Sequence, residues 1–146
     1  MPSFTKLVFT LSIASLLSAC SGQPPKSLGS ETQPLAACPS APNCVSSYEA
    51  SDNSHFIAPI VSSDSIENKH QQLTQLILES NNAQITKSTP RYIRAEYTSA
   101  FWGFVDDVEF ILQDTRIHMR SASRLGYSDL GVNRDRLESI RDQLKK

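Results

Sequence analysis

Two short stretches concentrate the side chains that can do chemistry. Gly103–Phe110 (GFVDDVEF) carries Asp106, Asp107 and Glu109. Arg120–Arg136 (RSASRLGYSDLGVNRDR) carries four arginines, two aspartates and two glycines, so charge and turn-forming residues meet there. Neighbouring carboxylates can divide acid and base roles when one holds a proton the other lacks. On that chemistry the catalytic candidates are Asp106, Asp107, Glu109 and Arg120, acting on an anionic substrate. Nearby arginines oppose such a division by keeping both acids ionised. The second chemistry is anion binding. Arg120, Ser121, Ser123, Arg124, Asp129, Asn133 and Arg134 would cradle an anion where a helix N-terminus adds N–H donors to bidentate guanidinium groups. Each reading has a structural counterpart. The acids and arginines also make a row of solvated cross-strand ion pairs, and the loop also serves only to start the last helix.

Other constellations are weaker. His55, His70 and His118 fall on a loop, a helix and the sheet, so neither a metal site nor a cofactor is expected. Cys44-Val45-Ser46-Ser47 lacks an assignable base. Phe101-Trp102-Gly103-Phe104 gathers aromatics at a hairpin tip, where it docks a partner or a membrane interface, or folds back onto the core; folding back is the expectation.

These residues need a scaffold. Ile66, Leu73, Leu76 and Ile77 define one apolar helix face between about Asp64 and Glu79, with Asp64 and Glu67 in a capping-box-like pattern. Four strands follow: Ala83–Ser88, Arg91–Ala100, Phe104–Leu112 and Arg116–Ser123. A loop centred on Asp114-Thr115 pairs Leu112 with Ile117, Phe110 with Met119 and Glu109 with Arg120. A loop centred on Trp102-Gly103 pairs Tyr97 with Val108, Ala95 with Phe110 and Ile93 with Leu112. Apolar then meets apolar on one face. The other face presents Arg94, Glu96, Thr98, Asp107, Glu109, Ile111, His118 and Arg120, with Glu96, Glu109 and Arg120 in one row and Arg94 within reach of Glu109. Asp106 breaks the pattern. Either a bulge turns it outward, or it is buried and hydrogen-bonded. Asn133 is the expected N-cap of a final helix. The expected fold is α+β: a four-stranded antiparallel meander with two helices packed on one face, preceded by an extended disulfide-closed segment.

The chain has 146 residues and a formal net charge of −1, which allows one modest core and argues against nucleic acid as a partner. Leu7–Leu17 is an apolar run behind Lys6, suited to a signal peptide and too short to span a bilayer. Leu17-Ser18-Ala19-Cys20 resembles the lipobox of bacterial lipoproteins. That resemblance implies a signal peptide over residues 1–19, cleavage before Cys20, and lipid on Cys20. Ser21, not Asp, follows the cysteine, which points to the periplasmic face of the outer membrane. Residues 20–37, rich in Pro, Ser, Gly and Gln, read as a flexible tether from the lipidated cysteine. Residues 38–146 form a single globular domain. With Cys20 lipidated, Cys38 and Cys44 remain for a disulfide in an oxidising compartment.

CPSAPNCVSS (Cys38–Ser47), HFIAPI (His55–Ile60), GFVDDVEF and RSASRLGYSDLGVNR together resemble the domain-of-unknown-function 1499 family over about Cys38 to Lys146. Members occur as bacterial exported proteins and lipoproteins, with relatives in photosynthetic eukaryotes. The resemblance implies no activity, substrate or cofactor. It does place Asp106, Asp107, Glu109, Arg120, Ser121, Ser123, Arg124, Asp129, Asn133 and Arg134 within the family pattern. The expectation is a membrane-anchored envelope lipoprotein that is more binding domain than enzyme. Its partners are the membrane, through the lipid, and an unknown small anionic ligand or envelope protein. The alternatives are an envelope enzyme using the carboxylate/arginine site on an anionic substrate, and an assembly factor using the aromatic hairpin.

Overall fold

A computed structural model describes residues 22–145. The expected signal peptide, residues 1–19, and the expected lipid attachment at Cys20 lie outside the described residues. The alternating stretches after Ala83 pair in chain order as an antiparallel meander: β3 (Ala83–Thr89), β4 (Tyr92–Thr98), β5 (Val105–Leu112) and β6 (Arg116–Ser123). Two further strands extend it. β1 (Cys44–Ser46) and β2 (Ile60–Val61) both pair antiparallel with β6, giving six strands, not four. Strands of three and two residues carry too little alternation to declare themselves in sequence. The helices are α1 (Ile66–Leu78) and α2 (Val132–Leu144).

The main core lies between the helices and one face of the sheet. Ile93, Ala95, Val108, Phe110, Leu112, Ile117 and Met119 meet Leu73 and Ile77 of α1 and Leu137 and Ile140 of α2. Each fully buried large apolar side chain contributes about 1.5–3 kcal/mol, which fixes the faces of the strands. The β5–β6 register is the expected one, with Leu112 opposite Ile117, Phe110 opposite Met119 and Glu109 opposite Arg120. The β4–β5 register differs by two residues: Ile93 faces Phe110, Ala95 faces Val108 and Tyr97 faces Asp106. A slip of two returns every side chain to the same face, so the apolar pattern does not separate the two alignments. The loop is accordingly longer, closed by Ser99, whose backbone and hydroxyl bind Phe104 and Gly103.

Both helix starts also differ from expectation. Ser65, not Asp64, caps α1 by accepting from the Asn68 N–H. Asn133 is inside α2 and fully buried, while Asp129 accepts from the Gly131 and Asn133 N–H groups. Gly131 turns the chain at φ 89°, a conformation disfavoured for residues with a Cβ.

The remaining correction concerns the tether. From Gly22 onward it lies on the sheet's outer face. Leu35 is buried with Tyr92 and Ile111 in a second, smaller core, and the Gly29 N–H reaches Glu109. A segment without periodicity is positioned by what it covers, not by its own propensity. The Cys38–Cys44 disulfide is formed, with Cα atoms 5.6 Å apart.

Candidate functional site

Most of the acids and arginines singled out above fall on β4, β5, β6 and the residues from Arg124 to the start of α2, and they gather in two clusters on opposite faces of the sheet. On the outer face Glu109 is 0 % exposed. Its carboxylate accepts from the Gly29 N–H at 2.6 Å, the Tyr92 hydroxyl at 2.8 Å and Arg120 Nη1 at 3.3 Å. Burial, and then the carboxylate beside it, push the Tyr92 phenol well above its usual range, so it stays protonated and donates. Arg94 stands opposite Glu109 on β4, yet its Nε donates to Thr86 Oγ1 on β3.

One row away, Asp107 is 1 % exposed and takes a bidentate pair from Arg124, Nε and Nη2 both at 2.8 Å. Arg124 Nη2 also reaches Glu96 at 2.5 Å, and Nη1 reaches the Gly22 carbonyl at 3.3 Å. The bonds to Asp107, and then to Glu96, hold the Arg124 guanidinium above its ordinary range. The two-residue register difference produces this pairing, because it sets Glu96 beside Asp107 and not beside Glu109. The expected row of solvated ion pairs is therefore a buried network. The reason is the Gly22–Leu35 segment, which excludes water from a face that alternation alone marked as outward.

On the inner face Asp106 stands opposite Ser123 without a bulge and binds Arg136 Nη2 at 2.6 Å. Arg136 Nη1 donates to Ser121 Oγ and Asn133 Oδ1, and its guanidinium covers the Tyr97 ring at 4.6 Å. The Asn133 amide donates to the Asn43 carbonyl and Ser123 Oγ, while its Oδ1 accepts from Ser121. Arg134 points elsewhere, clamping the Phe56 and Ser54 carbonyls. Sequence reasoning missed Arg136, although it lies one helical turn after Asn133 and so shares its face. It also missed Gly29 and Tyr92, for which no spacing gave a signal.

Of the residues proposed for an anion cradle, Ser121, Ser123, Asp129, Asn133 and Arg134 are held in these bonds. Arg120 and Arg124 lie across the sheet from Ser121 and Asn133, so the set does not form one cradle. Arg120 keeps one unmet group: its Nε–H is buried and has no acceptor among the described residues.

Ser47 does meet a base. Its Oγ lies 3.0 Å from His118 Nδ1, and the imidazole stacks on Tyr48 with centroids 4.6 Å apart. Burial, and secondarily Arg116, lower the His118 pKa. Ser47 is nevertheless buried and also accepts the Met119 N–H. His118 has no carboxylate partner among the described residues to orient it, as a nucleophile–base–acid triad requires. His55 and His70 bind the Cys44 carbonyl and Ser88. Among the described residues, no three His, Cys, Asp or Glu side chains gather as metal ligands, and no helix is long and apolar enough to cross a membrane.

The aromatic hairpin reverses its expectation. Phe101 is 95 % exposed and Trp102 76 %, so neither folds back onto the core. The tight turn around Gly103, at φ 64°, carries them beyond the last paired residues.

A model of a family described as "Protein of unknown function (DUF1499)" matches residues 34–144. No curated protein and no solved structure matches the chain.

Proposed function

The chain belongs to the DUF1499 family, and on that premise we propose that it is a lipid-anchored, non-enzymatic envelope domain that works by binding at one end of its sheet. The anchor is lipid on Cys20, at the periplasmic face of the outer membrane. The observation that carries the binding reading is the distribution of polarity. The charged motif residues are engaged with opposite charges or with backbone groups, and Glu109 has no surface open to a substrate. The large apolar side chains of two adjacent loops are instead in solvent: Phe101, Trp102 and Phe104 in one, Leu125, Tyr127 and Leu130 in the other. Soluble surfaces seldom gather such residues without a partner.

The test is photo-crosslinking in the living cell from position 101, with position 91 at the opposite end of the sheet as the comparison. Crosslinks from 101 to an envelope component, and few from 91, are expected. Equal yields from both positions would remove the reading. Intact-mass analysis of the extracted protein checks the anchor separately, a lipid-bearing chain beginning at Cys20 being expected.

A second reading, a small anionic ligand, is favoured by one atom. The buried Arg120 Nε–H lacks an acceptor among the described residues, and a native interior calls for one. Native mass spectrometry of the protein from its own envelope would show such a ligand as an adduct lost in Arg120→Gln and kept in Phe101→Ser.

A further inference from the structure

We infer that the exposed loop end is a membrane-seating surface: Phe101, Trp102, Phe104, Leu125, Tyr127 and Leu130 rest in the interfacial region of the bilayer that holds the Cys20 lipid. The inference rests on the anchored-domain reading above and names its partner.

Three observations carry it. The first is position. Gly22 lies against Leu125, 3.5 Å from the point where a Cβ would sit to Leu125 Cγ, and its carbonyl accepts from Arg124. Cys20 is two residues earlier, so a fully extended chain separates it from Gly22 by at most about 7 Å. Lipid on Cys20 therefore holds this end of the sheet, and no other, at the bilayer surface. The Arg124 N–H to Val105 carbonyl bond sets the two loops side by side at that end.

The second observation is composition. Residues 99–104 carry no charge. In residues 125–132 the one charged side chain, Asp129, is turned inward onto the N–H groups of Gly131 and Asn133. The opposite end, at the β3–β4 and β5–β6 turns, bears the exposed Arg91–Asp114 pair and, among the described residues, gathers no aromatic side chains in solvent. Aromatic rings with polar tips, uncharged surroundings and protruding aliphatics suit the water–lipid boundary.

The third is Leu130. It takes φ 56° and is 92 % exposed. The left-handed region favours Gly or Asn, and a leucine there is strained. Packing does not explain it, because the side chain stands in solvent. A lipid phase gives it a place to go.

Trp102 is the only tryptophan in the chain, so its emission reports the seating directly. The full lipidated protein is reconstituted into neutral phosphatidylcholine vesicles, with either plain or brominated acyl chains. The expected result is a blue shift of Trp102 emission in plain vesicles and loss of most of its intensity in brominated ones, little changed by salt. The double variant Phe101→Ser, Leu130→Asn should lose most of the quenching while keeping the parent's thermal midpoint, since both side chains are exposed and Asn accepts the positive φ. Intact mass showing lipid on Cys20, together with Trp102 emission as in the Cys20→Ser protein in buffer, overturns the seating and leaves the anchor standing. A blue shift without bromine quenching assigns the end to a second copy or a protein partner, and also overturns it. A chain without lipid on Cys20 overturns the anchored-domain reading and this inference with it.

Discussion

The outer face of the sheet and its loop end invert the usual arrangement. The face carries Glu96, Asp107, Glu109, Arg120 and Arg124, yet the central pairs are closed to water. The end carries phenyl, indole and aliphatic groups, and they are open. Residue type alone would have placed function at the face and packing at the end. What decides is availability. A guanidinium held bidentate by a buried carboxylate has little left to offer a ligand, whereas an exposed indole has its whole surface.

The comparison breaks most readily at Arg124. Arg124→Ala leaves Asp107 buried without its bidentate partner, and a loss of about 3–5 kcal/mol in unfolding free energy is expected from urea titration. A loss below about 1 kcal/mol would mean that the face is wetter than its burial implies. Next comes Glu109→Gln, which keeps an acceptor but removes the charge facing Arg120 and Tyr92. It should cost about 1–3 kcal/mol, read the same way. Gly29→Ala tests the covering segment. Its Cβ would lie 3.1 Å from Glu109 Oε1 and 3.2 Å from the Pro34 carbonyl. About 1 kcal/mol of destabilisation is expected, with faster amide exchange at Gly29.

His118, at the edge of the same face, gives a pH signature. Its folded pKa lies below the unfolded value, so between the two the unfolded state binds more protons and stability rises with pH. The contribution is present above the unfolded pKa and lost as pH falls through the folded one. The difference between the parent and His118→Gln should therefore shrink as pH falls below the ordinary imidazole value of about 6.5. The smallest effect belongs to the loop end. Phe101→Ser should change stability by no more than about 0.5 kcal/mol, because the ring is already in water. A larger loss would place Phe101 in the core and close the contrast.

Much of the scaffold was legible because side-chain period and apolar burial are local properties. Alternation in β4, β5 and β6 assigned the faces, with Glu109 outward and only Asp106 left open between a bulge and burial, and a loop centred on Asp114-Thr115 gave the β5–β6 register that the structure has. The site was legible only as a set of residues. The longer loop at Phe101–Phe104 admitted two registers that keep the same faces, and choosing between them decides whether Glu96 neighbours Glu109 or Asp107.

By itself, then, the sequence determined the α+β order, the disulfide partners and the residues that would share each face, since these follow from periodicity and residue chemistry along the chain. Tertiary structure alone decided that Gly29 and Leu35 close over Glu109 and Tyr92, that Arg136 answers Asp106, and that the aromatic hairpin stands clear of the core. Those outcomes depend on contacts between segments far apart in sequence. Burial and hydrogen-bond geometry fix them only once the sheet, the helices and the covering segment are in place together.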